Sequence, residues 1–294
     1  MTLIKSKNQL SWILFTSLVF IYGSAFILIK WGLISYSPQQ VASYRIFIGA
    51  IVLSPFAFRL RKISLTKTQW YFLIQSGILG SLIPAFLFAR AEQHLDSGIA
   101  SVLGSMTPVF TVLISHFVFQ YQLGKLQIPG LILAFSSTLL IGIKNGSGLE
   151  FQWEGIIYIL IATLCYATNM NFIKYKLEGV SPKIISSVSL LFLIIPTGLL
   201  LLQTGFFEGL QDTDNFKSIV SITILGLTST ALALLLFINL LQIANPLFTS
   251  SITFVIPLVA IIWGIFDGEK IGFQESIAIG LMLLGIWLIS KKDS

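Results

Sequence analysis

Residues 22–30 read YGSAFILIK and residues 166–174 read YATNMNFIK, so the two stretches match at the tyrosine, the isoleucine and the lysine. Ser37-Pro38 and Ser181-Pro182 follow the two lysines at the same distance. Both stretches lie in apolar segments long enough to cross a bilayer. Two related halves are typical of secondary transporters, whose substrate site lies between the halves. The repeat therefore indicates transport.

The composition places the chain in a bilayer. Of its 294 residues 55% are hydrophobic and 10% are charged, with a mean hydropathy of +0.89, whereas soluble domains carry about 25% charged residues. Membrane-spanning helices need about 20 largely apolar residues. Long runs without Asp, Glu, Lys or Arg cover residues 8–29, 68–89, 97–124, 155–173, 184–207 and 218–266.

The apolar runs predict an all-α integral membrane protein with ten transmembrane helices. The predicted spans lie near residues 11–30, 40–58, 69–89, 98–119, 126–143, 154–173, 184–204, 217–241, 247–266 and 273–290. Asn245-Pro246 divides the longest run, because proline disfavours helix in the residue before it. Five helices per half is an odd number, so the repeats, residues 1–145 and 150–294, are expected to be inverted.

The charges of the connections predict the topology. Most Lys and Arg residues fall on the side of the N-terminus, and most acidic residues fall on the other side. The positive-inside rule then places both termini in the cytoplasm. Because the basic excess is explained by topology, we expect no nucleic-acid partner.

The acidic residues argue against an enzyme and leave the driving force open. Every Asp and Glu lies at or beyond a predicted helix end, and the sequence holds no metal-ligand spacing, nucleophile motif or cofactor motif. Without a mid-membrane carboxylate, we expect facilitated diffusion, exchange, or a proton relay nearer the surface. Glu92, Glu269 and His116 are the candidates for such a relay.

Tyr22 and Tyr166 lie near the centres of helices one and six, away from the interfaces where membrane aromatics usually anchor. Helical spacing puts Phe26 on the face of Tyr22, and Asn169 and Met170 on the face of Tyr166. These five residues are predicted to line a cavity for an apolar or amphipathic solute. Packing and hydrogen bonding between helices is the alternative. Ser24 and Thr168 fall on the opposite faces, where bonding to a backbone carbonyl or close packing is expected.

Two prolines are predicted at matching mid-helix positions. Pro108 and Pro257 each remove a backbone hydrogen bond and would act as hinges, expose a carbonyl to the cavity, or give static kinks. Polar residues precede them by one or two turns and are added to the predicted solute site: Ser101, Ser105 and Ser250.

Arg45 lies inside the second predicted helix. A charge there is costly, so its side chain should face protein or water, or extend outward to the interface. A gating role or binding of a carboxylate is the functional alternative.

The chain resembles the EamA-type carriers of the drug/metabolite transporter superfamily over about residues 10–290. The resemblance rests on residues 22–30, on the RIFIG run that begins at Arg45, on ASVLGSMTPVF at 100–110, and on Gly268-Glu269. It implies an inner-membrane carrier with inverted five-helix repeats, often exporting amino acids or related metabolites. It also implies that helices five and ten lie outside, while one, three, four, six, eight and nine approach the cavity.

Two positions depart from the family pattern. The first half has Gln120-Tyr121 where the second has Gly268-Glu269, and Ser189 takes the place of Arg45 in the second half. The two halves therefore differ at these positions, and no role is assigned to them by symmetry.

The sequence predicts a transporter of a small organic metabolite, an amino acid or related compound, that works by alternating access, with export favoured. A membrane scaffold or assembly subunit without transport is the alternative. The expected partners are the metabolite and the bilayer. A monomer is compatible with the sequence, but the sequence predicts neither the oligomeric state nor the identity of the metabolite.

Overall fold

The computed structural model describes residues 2–57, 65–120, 124–142, 153–211, 213–243, 249 and 252–290. Across these residues all regular secondary structure is helical, and no strand is formed. Their α-helices, numbered in chain order, are α1 Thr2–Gly32, α2 Pro38–Ala57, α3 Lys67–Gly77, α4 Ile83–Ala91, α5 Ser97–Gly104, α6 Thr107–Phe119, α7 Gln127–Gly142, α8 Trp153–Lys176, α9 Pro182–Leu191, α10 Ile194–Gln203, α11 Phe216–Ile224, α12 Ala233–Ile243, α13 Ile252–Phe266 and α14 Phe273–Ser290.

Two π-helical segments join pairs of α-helices into longer spans. Ile78–Leu82 connects α3 to α4, and Leu225–Leu232 connects α11 to α12. A π-helical turn inserts an extra residue and is often found at functional sites. Both segments lie in the middle of a predicted transmembrane helix.

Within the described ranges seven helical spans are long and apolar enough to cross a membrane. Three shorter apolar helices occupy the remaining predicted spans: Gln127–Leu140, Val255–Phe266 and Phe273–Ile289. Large apolar side chains cover the outside of the bundle, and Phe266 is 82% exposed. Such a surface suits lipid rather than water. The count of ten crossings stays a prediction.

Each Ser-Pro pair begins a helix, as the repeat predicts. Pro38 opens α2 and Pro182 opens α9, where the missing N–H of proline is not needed. The Ser37 hydroxyl accepts a hydrogen bond from the Gln40 backbone N–H at 3.3 Å.

The predicted span 98–119 corresponds to one apolar span, Ser97–Val118, but its helix is interrupted just before Pro108 rather than continuous through it. α5 ends at Gly104, and α6 begins at Thr107 with Pro108 in its first turn. A proline is tolerated there because the first backbone N–H groups of a helix have no intrahelical acceptor. Pro257, by contrast, does lie inside α13.

The first helix of each half packs against the other half. α1 contacts α11, α12 and α13, while α8 contacts α4, α5 and α6. α7 and α14 pack closely on each other. The reciprocal packing of α1 and α8 leaves a cavity between them.

Candidate solute-binding cavity

A cavity of about 220 Å³ lies between α1 and α8. Water occupies about 30 Å³ per molecule in the liquid, so this space suits one small solute. The helices and π-helical segments of both halves contribute to its wall, which includes Tyr22, Ala25, Phe26, Ile29, Arg45, Ile46, Gly80, Ser81, Ala85, Phe88, Ser101, Gly104, Ser105, Thr107, Tyr166, Asn169, Met170, Ile173, Ser229, Thr230, Leu234, Phe237, Ile238, Leu241, Ile252, Thr253 and Ile256.

Five aromatic rings form much of the wall. Phe88 has its ring centre 5.8 Å from that of Phe26 and 6.1 Å from that of Tyr166. Tyr22 meets Phe237 edge to face at 6.4 Å. These separations are favourable for aromatic pairs. The rings therefore hold one another in place and offer a rigid apolar surface.

Arg45 points into this cavity rather than outward to a membrane interface. Its Nε donates a hydrogen bond of 3.3 Å to the Thr230 hydroxyl in the second π-helical segment. Arg45 is also close enough to Tyr22 and Tyr166 for electrostatic interaction. A guanidinium has five N–H donors, so donors remain for a bound anion.

Asn169 brings an amide into the cavity wall. Its side chain is buried, and its Oδ1 has no hydrogen-bond partner in the described part of the chain. Its Nδ2 lies over Gly80 of the first π-helical segment, where an added Cβ would collide with it. Buried carbonyl oxygens normally find a donor. A solute donor would satisfy Asn169.

The serine and proline positions meet where the two halves touch. A proline leaves the carbonyl four residues earlier without its helical donor. For Pro257 this is the Thr253 carbonyl, which accepts a hydrogen bond of 2.8 Å from the Ser105 hydroxyl across the cavity. For Pro108 it is the Gly104 carbonyl, which accepts one of 3.0 Å from Thr107.

The other predicted residues divide between the cavity and packing. Ser101 lines the cavity but donates to the Gly98 carbonyl at 2.6 Å. Ser24 lies outside and accepts a hydrogen bond from Trp263 Nε1 at 3.0 Å, instead of bonding a backbone carbonyl. Thr168 bonds the Leu164 carbonyl as expected, at 2.8 Å. Ser250 lies outside the described residues.

An ion-pair network closes the molecule on one side of the cavity. We call the network the Lys30 cluster; its members are Lys30, Trp31, Ser97, Gly98, Asp267 and Glu269. Lys30 Nζ lies 2.7 Å from Asp267 Oδ2 and 2.8 Å from Glu269 Oε1. The Glu269 carboxylate also accepts the Ser97 and Gly98 backbone N–H groups, at 3.0 and 3.1 Å.

The carboxylates of the Lys30 cluster are stabilised in their ionised forms. Burial opposes ionisation of Glu269, but hydrogen bonds from Lys30, Ser97 and Gly98 outweigh it and lower its pKa below the usual value. Burial acts the same way on Asp267, where hydrogen bonds from Lys30 and Trp31 prevail and lower the pKa. The cluster thus joins α1, the start of α5 and the connection after α13 at neutral pH.

The cavity extends away from the Lys30 cluster. Ile173, Leu241 and Ile252 of its wall belong to the ends of α8, α12 and α13 that lie farthest from Lys30. No group of His, Cys, Asp or Glu in the described residues could hold a metal ion.

Seven residues of the cavity wall were predicted from the sequence, and several others were not. Phe88, Phe237 and Thr230 were not predicted; for Arg45 a gating or carboxylate-binding role was one of the alternatives, and the structure places it in the wall. A signal existed for two of them, because Phe88 and Phe237 precede Gln93 and Gln242 by the same distance. Gln93 and Gln242 in turn precede Pro108 and Pro257 equally, so the repeat register pairs the two phenylalanines.

Comparison with known proteins agrees with this architecture. The chain is 25% identical to an uncharacterized transporter of Archaeoglobus fulgidus, covering 96% of this chain and 99% of the relative. It is 23% identical to the uncharacterized inner membrane transporter YedA of Escherichia coli K12, covering 93% and 88%. Protein PagO of Salmonella typhimurium is 30% identical over 70% of this chain and 68% of its own.

A solved structure and a family profile extend the match to the whole chain. One crystal structure of a protein superposes with a TM-score of 0.63 at 14% identity, covering 95% of each chain, which supports the fold alone. The profile of the EamA-like transporter family matches twice, over residues 10–143 and 153–291. The chain therefore belongs to the EamA-like transporter family and is a multi-pass membrane transporter.

Proposed function

We propose that this protein is a secondary carrier that moves a small amphipathic metabolite, an amino acid or a related compound, across the inner membrane by alternating access. The observation that carries the proposal is a single cavity lined by both halves, with five aromatic rings, one guanidinium and one unpartnered amide oxygen. Small-molecule sites are commonly apolar with a few placed polar groups.

The polar groups of the wall match the two ends of an amino acid. Arg45 would bind the carboxylate, because a guanidinium fits a carboxylate with two parallel hydrogen bonds. Asn169 Oδ1 would accept a hydrogen bond from the ammonium group. The rings of Tyr22, Phe26 and Tyr166 would contact the apolar side chain, which fits the aromatic wall.

Alternating access is supported by the asymmetry of closure. The Lys30 cluster joins both halves on one side of the cavity, and the cavity wall reaches the opposite ends of α8, α12 and α13. To open the cavity on the side of the Lys30 cluster, the ion pairs of that cluster would have to break. The double family match at 10–143 and 153–291 supports two repeats, residues 1–145 and 150–294, in inverted orientation.

The charges support the sidedness. Both termini in the cytoplasm would put the Lys30 cluster on the outer side, so a solute would enter the closed-outside state from the cytoplasm; export is the direction that the family resemblance favours. A scaffold would explain neither the cavity nor the unpartnered Asn169 oxygen.

The function is tested by transport with matched tyrosine variants. Export would be followed by metabolite profiling of cells with and without the protein, and then in proteoliposomes with a labelled mixture of the common amino acids. Tyr22→Ala and Tyr166→Ala should each weaken transport by about tenfold or more, because truncating an anchoring aromatic costs about 2 kcal/mol or more.

Tyr175→Ala is the matched control. Tyr175 belongs to the same helix as Tyr166 but is 43% exposed and does not line the cavity. This variant should transport normally. Normal transport by both cavity variants would instead assign these tyrosines to helix packing, and the absence of amino-acid transport by the unmodified protein would refute the proposed substrate class.

A further inference from the structure

Glu92 is a buried carboxylic acid at the C-terminal cap of α4 and is only 8% exposed. Neither of its side-chain oxygens meets a hydrogen-bond donor in the described part of the chain. Glu269, by contrast, accepts hydrogen bonds from Lys30, Ser97 and Gly98. Buried acids in such surroundings normally keep their proton.

Glu92 lies one helical turn beyond the aromatic wall and interacts electrostatically with the Lys30 cluster. Its backbone N–H donates to the carbonyl of Phe88, a residue of that wall, at 3.0 Å. The charged groups that act on it are Lys30 from α1, Arg45 from α2 and Glu269 from the connection after α13. On its own connection, His94 lies 3.7 Å from the exposed Glu154.

We propose that Glu92 is a proton-binding site that keeps the Lys30 cluster closed while it is protonated and opens it when it ionises. The coupling of protons to transport at this site rests on the proposed carrier function, whereas proton binding by Glu92 does not. The sequence already offered Glu92 as one of three candidates for a relay near the surface, and burial without a partner separates it from the other two.

The mechanism follows from charge. A neutral Glu92 leaves Lys30 to Asp267 and Glu269. An ionised Glu92 would repel the Glu269 carboxylate and compete for the Lys30 ammonium, which removes the attraction that joins α1 to the start of α5. Burial, reinforced by the charge of Glu269, raises the pKa of Glu92 well above its usual value, and the positive charges of Arg45 and Lys30 only partly oppose this. Burial in the closed structure therefore favours the protonated form of Glu92.

The sign of the pH response distinguishes Glu92 from Glu269. Because closure raises the pKa of Glu92, closure takes up a proton and weakens as pH rises through that value. The pKa of Glu269 is lowered by closure, so any effect of Glu269 would loosen the cluster as pH falls. Only the first response supports the proposal.

Hydrogen–deuterium exchange of the Ser97 and Gly98 amides measures closure directly, because both donate to Glu269. After correction for the intrinsic pH dependence of exchange, protection in the unmodified protein should fall by up to about tenfold per pH unit between the pKa of Glu92 in the open state and its higher pKa in the closed state. Glu92→Gln, which resembles the protonated acid, should stay protected throughout. Glu154→Gln, an exposed acid whose side chain is 61% accessible, should behave like the unmodified protein.

Infrared absorption of the protonated carboxyl group gives a second readout. The unmodified protein and Glu154→Gln should show a carboxyl band at neutral pH that Glu92→Gln lacks. Absence of this band from the unmodified protein, or protection that does not fall with rising pH, would overturn the proposal. The exchange result on the unmodified protein decides the matter even if Glu92→Gln fails to fold.

Neither measurement uses a solute, so their outcome is separate from the transport assay. If the amino-acid mixture is not transported, the proposed carrier function fails while the proton site is judged by exchange and infrared absorption. If the mixture is transported, Glu92→Gln should exchange labelled for unlabelled amino acids across proteoliposomes yet lose net transport driven by a pH gradient. Net transport that still responds to the gradient would refute the coupling.

Discussion

At the level of single residues, the contact between Gly80 and Asn169 leaves no space for a larger side chain at this point of the cavity wall. Gly80→Ala places a Cβ where the Asn169 amide lies. We expect the amide to be displaced and the free energy of unfolding to fall by about 1–3 kcal/mol, as in other overpacked sites. Unfolding in mixed micelles measures the stability, and transport of the amino-acid mixture should weaken in parallel.

Gly280→Ala is the control for this substitution. Gly280 also lies within a helix, but an added Cβ there has no atom within 4 Å. Alanine should stabilise the helix by up to about 1 kcal/mol because it restricts the unfolded chain and favours helix. Equal effects of the two substitutions would show that the Gly80–Asn169 contact has no special role.

At the level of elements, α7 and α14 form a helix pair joined by two facing glycines. A Cβ at Gly130 would lie 2.6 Å from the Gly285 carbonyl oxygen, and a Cβ at Gly285 would lie 2.8 Å from the Gly130 carbonyl oxygen. Small residues permit such close approach of helices in membranes. Gly130→Leu or Gly285→Leu should therefore separate the pair and destabilise the protein by about 1–3 kcal/mol or more.

The affinity for the solute should be unchanged in both leucine variants, because neither glycine lines the cavity. Gly280→Leu, on the exposed face of α14, serves as the control and should leave the unfolding free energy nearly unchanged. A loss of solute binding with unchanged stability would show that α7 and α14 act on the cavity rather than as an external brace.

At the level of the whole molecule, the topology is open to direct test. Single cysteines replace the exposed residues Gln93 and Glu178 in a Cys165→Ser background. The charge distribution predicts Gln93 outside and Glu178 inside, so a membrane-impermeant maleimide applied to intact cells should label only the cysteine at position 93. Labelling of both positions or only of position 178 would contradict the predicted orientation and, with it, the direction proposed for transport.

Much of the architecture could be predicted because the bilayer imposes it locally. Apolar runs of about 20 residues must be helical in lipid, and helical periodicity alone puts Phe26 beside Tyr22 and Asn169 beside Tyr166. All of these line the cavity. Pro108 was misplaced because its effect depends on where the helix starts: the same residue that kinks a helix interior is accommodated in a first turn.

The sequence by itself determined that this protein is a helical membrane protein and which faces of α1 and α8 line the cavity, and it predicts two related halves, since each depends on hydropathy, period or repetition along the chain. Only the tertiary structure decided that Arg45 turns inward to Thr230, that the Asn169 oxygen has no partner among the described residues, and that Glu92 is buried within electrostatic range of the Lys30 cluster. Those properties depend on which distant side chains approach a polar atom, and helical spacing carries no information about partners from other helices.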